Sequence, residues 1–164
     1  MRRPCSAAWA VSAAIAVAVT ACGGGSAATP VTTVQIGEIR SALAAVEASL
    51  GGVQTYSEVN ATDTEVNVFV VKGGEDLAYV VTRGKVDAPS AGEPYSGPTF
   101  VAGQVSFEPG VLDFVVKELP DSDVAAFSVK PNASGGVDYI ATVRARGTEL
   151  RVLLDPSGKV ISTA

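Results

Sequence analysis

The stretch Glu65-Val66-Asn67-Val68-Phe69-Val70-Val71-Lys72-Gly73-Gly74-Glu75-Asp76-Leu77-Ala78-Tyr79-Val80-Val81-Thr82-Arg83 decides the fold class. Val66, Val68 and Val70 occupy alternate positions, and after Gly73-Gly74 so do Leu77, Tyr79 and Val81. A period of two in β-branched and aromatic residues is a half-buried strand. Two such runs across a two-glycine turn make an antiparallel hairpin. The chain around it is therefore expected to build an antiparallel sheet with one face covered.

Working back from the hairpin, Thr55 to Val59 is a short strand candidate and Asn60-Ala61-Thr62-Asp63 reads as a turn. Before them Ile36, Ile39, Leu43, Val46 and Leu50 recur at spacings of three and four. That spacing predicts a helix with one apolar face, capped by Thr32 or Thr33 and ended by Gly51. Residues 34–88 thus form a first αβββ unit. Residues 89–105 are a link rich in Pro and Gly, in which Thr99 to Ala102 can add a short edge strand. A link this long in a small domain is often functional.

Residues 106–164 repeat the order. Pro109 suits the first turn of a second helix, Val111, Leu112, Val115 and Leu119 supply its stripe, and Pro120 ends it. Strands are expected at Val124 to Lys130, Val137 to Arg146 and Thr148 to Leu154, with a terminal extended piece at Lys159 to Ile161. The halves also correspond in residues. Leu50 aligns with Leu119, Tyr56-Ser57 with Phe127-Ser128, Asn60 with Asn132, Gly74 with Gly147, and Gly84-Lys85-Val86 with Gly158-Lys159-Val160. The expected class is α+β, with two pseudo-repeated αβββ units whose antiparallel sheet or sheets carry helices on one face.

The beginning of the chain reads differently. Arg2-Arg3 precede an apolar run from Ser6 to Thr20, too short for a membrane-spanning helix and of the length of an export signal. Val19-Thr20-Ala21-Cys22 then resembles the bacterial lipobox: an aliphatic residue, two small ones and Cys. The resemblance implies a leader over residues 1–21, cleavage between Ala21 and Cys22, and a diacylglyceryl thioether on Cys22. Two or three acyl chains anchor a protein stably, where one alone binds marginally. Residues 22–33, with Gly23-Gly24-Gly25-Ser26, read as a flexible tether. The expected location is the extracytoplasmic face of a cell membrane.

A second resemblance lies at the other end. Val137-Asp138-Tyr139-Ile140-Ala141-Thr142-Val143, the run from Gly147 to Leu154, and Asp155-Pro156-Ser157-Gly158-Lys159-Val160-Ile161 resemble the close of a PepSY-type module. Two such modules in tandem are similar to the fold of the β-lactamase-inhibitor-protein type. The resemblance implies an exported, non-enzymatic domain that binds or restrains other proteins. The first half departs from it, because Thr82-Arg83-Gly84-Lys85-Val86 lacks the Asp and the Pro.

Composition removes several chemistries. The chain has no His, its one Trp is Trp9, and its two Cys are Cys5 and Cys22. Beyond the leader there is no pair of thiols for a disulfide, no Ser–His or Cys–His couple, and no His/Cys zinc set. No metal site, cofactor or catalytic residue is assigned, and the chain is not expected to be an enzyme. The 12 basic and 17 acidic residues include Arg2 and Arg3, so the mature part has a formal charge of −7. That sign disfavours nucleic acid.

Short motifs carry little more. Asp121-Ser122-Asp123 is expected to be a loop opening the next strand, and Asp63 with Glu65 and Glu75 with Asp76 are expected to sit at hairpin ends. Arg144, Arg146 and Arg151 form a modest basic spot around one hairpin. Tyr95 and Phe100, two aromatics in the Pro/Gly-rich link, are the candidate recognition surface; the alternative is that they fold back over the sheet. The sequence thus points to a membrane-anchored binding or regulatory module for a protein or other envelope component. The alternative is a carrier of lipid or a small amphiphile, which would need an apolar cavity of several hundred Å³.

Overall fold

The computed structural model describes residues 34–145 and 147–163. The expected leader, tether and Ala21–Cys22 cleavage junction, the threonines Thr32 and Thr33 expected to cap the helix, and Arg146 lie outside the described residues.

A short 3-10 turn, Ile36–Glu38, leads into helix α1, Ile39–Leu50. Ile39, Ala42, Leu43 and Val46 are its buried face, at the spacing one side of a helix requires. Gly51 ends it in the left-handed conformation at φ 82°, and its N–H reaches the Glu47 carbonyl. A residue without Cβ takes that backbone at little cost. The N-terminal end is pinned to the sheet, where the Gln35 N–H donates to Thr62 O and the Gln35 side chain to Asp63 O.

The strands are β1 (Tyr56–Ala61), β2 (Val66–Lys72), β3 (Glu75–Thr82), β4 (Lys85–Val86), β5 (Glu93–Pro94), β6 (Asp123–Pro131), β7 (Val137–Ala145), β8 (Thr148–Leu154) and β9 (Val160–Thr163). They form one antiparallel sheet in the order β4-β3-β2-β1-β6-β7-β8-β9, with β5 on the same edge of β3 as β4. The hairpin that set the fold class is β2–β3, paired from Val66↔Val81 to Lys72↔Glu75. Gly73 and Gly74 both have positive φ, as its two-residue turn demands. The join between the halves is β1 against β6, three residues long: Val59↔Val129, Asn60↔Ser128 and Ala61↔Phe127.

One face of the sheet carries the core. Tyr56, Val59, Val66, Val68, Val70, Tyr79 and Val81 meet α1 there, and Phe127, Val129, Tyr139, Ala141, Val143, Val152 and Leu154 continue the layer. Phe107 lies edge-on to Phe127 and Tyr139, with ring centroids 5.3 and 5.6 Å away. The Tyr139 hydroxyl donates to Ser106 O and accepts from Ser106 N–H, which fixes this incoming loop.

Three local expectations need correction. Asn60 and Ala61 belong to β1, and the turn follows at 62–65, where the Thr62 hydroxyl caps the N–H groups of Thr64 and Glu65. In place of an edge strand at 99–102, Phe100 makes a single bridge to Tyr56 and Ala102–Gln104 is a 3-10 turn. The second helix, α2, is only Asp113–Glu118. Its expected first turn is spent otherwise: Val111 N–H bonds Glu108 O and Asp113 N–H bonds Gly110 O, while Glu108 N–H is drawn to Pro156 O. The partner there is the Asp155-Pro156-Ser157-Gly158 turn. Gly158 is buried at φ 90°, and a Cβ on it would be driven into the Val111 carbonyl.

Candidate functional site

The strands that give one set of alternate residues to the core give the other set to the opposite face. No helix among the described residues is placed in contact with that face by the burial pattern, and its residues range from partly buried to exposed. Register orders them into rows. One row runs Val80, Asn67, Asn60, Ser128, Ile140, Leu153 and Ser162 across seven strands. The next runs Ala78, Phe69, Glu58 and then, across the join, Lys130 and Asp138.

The centre of this face is polar and internally bonded. The Asn60 amide donates to Ser128 Oγ at 2.8 Å, and Ser128 is only 6% exposed. Lys130 Nζ meets Glu58 Oε2 at 2.7 Å, both partly buried. Ser57, displaced by the β1 bulge, donates its hydroxyl to the Asp76 carboxylate at 2.8 Å. On either side lie partly buried apolar residues: Phe69, Val71 and Val80 toward one edge, Ile140 and Leu153 toward the other. Arg144 pairs with Glu149 at 2.8 Å farther along the same face, and Arg151 lies in the row between that pair and Leu153.

The link borders this face. The chain runs back along the outer edge of β3 as β4 and through Asp87 N–H to Val80 O, and the link continues with Ser90 N–H to Ala78 O and then as β5. Tyr95 follows, its N–H on Gly74 O and its phenol donating to Pro98 O at 2.7 Å. The Tyr95 ring is partly exposed. Partial burial and the nearby carboxylates of Asp76 and Glu58 raise its phenol pKa above the ordinary value, since both disfavour a phenolate. Tyr95 therefore stands at the margin of the open face.

Phe100 does not join it, which corrects the pairing of the two aromatics as one surface. Its ring is 1% exposed and lies 5.6 Å from Tyr56, within the core. Its N–H and C=O bond Tyr56 on the β1 edge that β6 leaves vacant below Val59. The core Tyr56 phenol donates to Glu47 Oε1, and burial with that carboxylate holds its pKa well above the usual range.

The remaining motifs fall in structural roles. Ser122 closes α2 by donating its hydroxyl to Leu119 O. Glu65 accepts from the Asn67 amide at the end of the first hairpin. Asn132 holds the β6–β7 turn, accepting from the N–H groups of Ser134 and Gly136. Sequence reading missed Glu58, Ser128 and Lys130 as facing one another. Their alternation with core residues was visible, but the β1–β6 pairing that brings them together was not. Among the described residues no group of three or more acidic, His or Cys side chains could hold a metal. No helix among them is long and apolar enough to cross a membrane. Among the surface depressions, one of about 310 Å³ is lined by Glu118 to Ser122 and Ala145, one of about 370 Å³ by Ser106 to Glu108 and Asp155 to Ser157, and one of about 160 Å³ by Ile36, Gly37, Arg40, Phe107 and Pro109.

No family model matches the chain, and no curated protein or solved structure matches it.

Proposed function

We propose that this chain is a lipid-anchored, extracytoplasmic module of a bacterial envelope that binds another macromolecule through its open sheet face, without catalysis. The observation that carries the reading is the composition of that face. A hydrogen-bonded polar centre, Asn60–Ser128 and Glu58–Lys130, is flanked by Phe69, Val71, Val80, Ile140 and Leu153, and Tyr95 stands at the rim. Interfaces combine apolar contact with such satisfied polar groups and favour aromatic anchors. Cys22 supplies the anchor, through the lipobox Val19-Thr20-Ala21-Cys22.

The halves are taken as pseudo-repeats related across the β1–β6 join. In support, each contains a helix followed by strands that step outward from the join, β1 to β4 on one side and β6 to β9 on the other. The PepSY-like ending and the tandem arrangement similar to the β-lactamase-inhibitor-protein type agree with a binding role. A lipid or amphiphile carrier draws less support. Ile39, Leu43, Val46, Val59, Val68 and Val70, all 2% exposed or less, fill the space between α1 and the sheet where a ligand would have to enter.

The test uses the acylated full chain in membranes, with a photo-cross-linking residue at position 69, 95 or 140 and a control at Val53, which is 76% exposed on the loop after α1. Adducts from the open-face positions and none from position 53 are expected. Adducts from 53 alone, or from no position, would overturn the face assignment. A Cys22→Ser chain should leave the membrane fraction while keeping its fold; retention in the membrane would overturn the anchor.

A further inference from the structure

The two outer edges of the sheet are finished differently. At one, β9 is four residues long and irregular, with Ile161 left over between Val160↔Leu154 and Ser162↔Leu153. At the other, residues 85–94 lie along β3 from Thr82 to Glu75. That covering is discontinuous. It consists of two two-residue ladders joined by the Asp87 and Ser90 N–H bonds, and Pro89 and Pro94 can donate none. Residues 87–91 are exposed.

Its charges also oppose it. The register sets Glu93 directly across from Asp76, and like charges directly opposite destabilise a strand pair. Asp76 cannot swing clear without giving up the Ser57 hydroxyl, which bonds both its oxygens. The neighbouring Glu75 carboxylate sits against Gly92, close enough that a Cβ there would meet Oε2 at 2.9 Å. Glu58 and Tyr95 face the same corner, and Glu58 is already engaged by Lys130. Lys72, across from Glu75 on β2, is the nearest cation by register, and the ion pairs among the described residues do not include it.

We propose that residues 85–94 form a strap that detaches from the outer edge of β3 while the rest of the sheet stays folded. Detachment bares the carbonyls of Gly74, Ala78 and Val80, which now accept from Tyr95, Ser90 and Asp87. A strand edge is then open to another extended chain at the border of the binding face. The repulsion between Asp76 and Glu93 sets how often this happens. Local opening of this kind is read by amide exchange.

The experiment is native-state hydrogen exchange on the full chain, comparing wild type with Glu93→Gln and Asp76→Asn. In wild type the amides of Asp87, Ser90 and Tyr95 should exchange far faster than those of β2 and β7. Either neutral variant should slow Ser90 and Tyr95 by about two- to five-fold and leave β7 unchanged. Added salt should slow them in wild type and have little effect in Glu93→Gln. Strap amides exchanging as slowly as β2, or a variant effect spread equally over the whole sheet, would overturn the proposal.

Discussion

The Asn60 side-chain amide and the Ser128 hydroxyl, 68 residues apart in sequence, meet at 2.8 Å where β1 pairs with β6. This contact lies in the middle row of a join only three residues long. Ser128 is 6% exposed, so losing the amide strands a nearly buried hydroxyl. Asn60→Ala should cost about 1–2 kcal/mol, and Ser128→Ala a comparable amount. The double variant should fall short of the sum, with a coupling of about 1 kcal/mol, in urea denaturation. Full additivity would mean that the bond does not help hold the halves together.

Gly158 and Gly84 both have positive φ, at 90° and 76°, but only one is crowded. At Gly84 nothing lies within 4 Å of an added Cβ, so Gly84→Ala should cost only the left-handed penalty of about 1 kcal/mol. Gly158→Ala must also push back the Val111 backbone and the α2 entrance it supports. A loss at least 2 kcal/mol larger than at Gly84 is expected, of the order of an overpacked core. Thermal melts of the two variants side by side check the difference.

Phe100 and Tyr95 should separate stability from binding. Phe100→Ala empties a fully buried site against Tyr56 and should cost about 3–5 kcal/mol. Against the 5–15 kcal/mol typical of a domain, that is a large share. Tyr95→Ala removes a partly exposed ring and one hydrogen bond to Pro98 O. Its melting point should move little, while cross-linking from the open face drops. A melting shift as large as that of Phe100→Ala would make Tyr95 a core residue.

The pH profile should be flat near neutrality, since the chain has no His. On the acid side, Asp155 is held below its ordinary pKa of 3.8, first by the Ser157 hydroxyl and then by the N–H groups of Lys159 and Ser157. A depressed carboxylate contributes stability above its unfolded pKa and loses it as pH falls through the folded value. Asp155→Asn should therefore flatten the stability curve below about pH 4. On the alkaline side, Tyr56 is raised by burial and Glu47, so its contribution is present below pH 10.0 and is lost as pH rises beyond it. Tyr56→Phe should remove that decline, measured as denaturation midpoint against pH.

Legibility followed the range of the interactions. The β2–β3 hairpin and the body of α1 could be read because their signals are local: alternation, a two-glycine turn, a three-four spacing and a C-terminal Gly. The shortness of α2 could not, because Pro109, Val111 and Leu112 satisfy a helix pattern. What delays its start is a distant partner, Pro156 O, drawing Glu108 aside. Asn60 was misread for a related reason. Its turn preference is real, but pairing with Asn67 on one side and Ser128 on the other outweighs it. Of the candidate site, Tyr95 was visible as an aromatic among Pro and Gly. Its separation from Phe100 depended on an unfilled stretch of the β1 edge that no local signal marks.

The narrow β1–β6 join also dictates an order of events when the chain first folds. Hairpins β2–β3 and β7–β8 close over short loops within about 1–10 μs. Joining Asn60 to Ser128 closes a loop of 68 residues, at an entropic cost of about 4 kcal/mol, before any contact at the join repays it. A chain that folds from its N-terminal side would hold α1 and β1–β3 together with Tyr56 and Val59 still uncovered on one edge. Completion must wait for Phe100, then Phe127 and Val129, to arrive. The second half of the chain thus acts as the timer of its own folding.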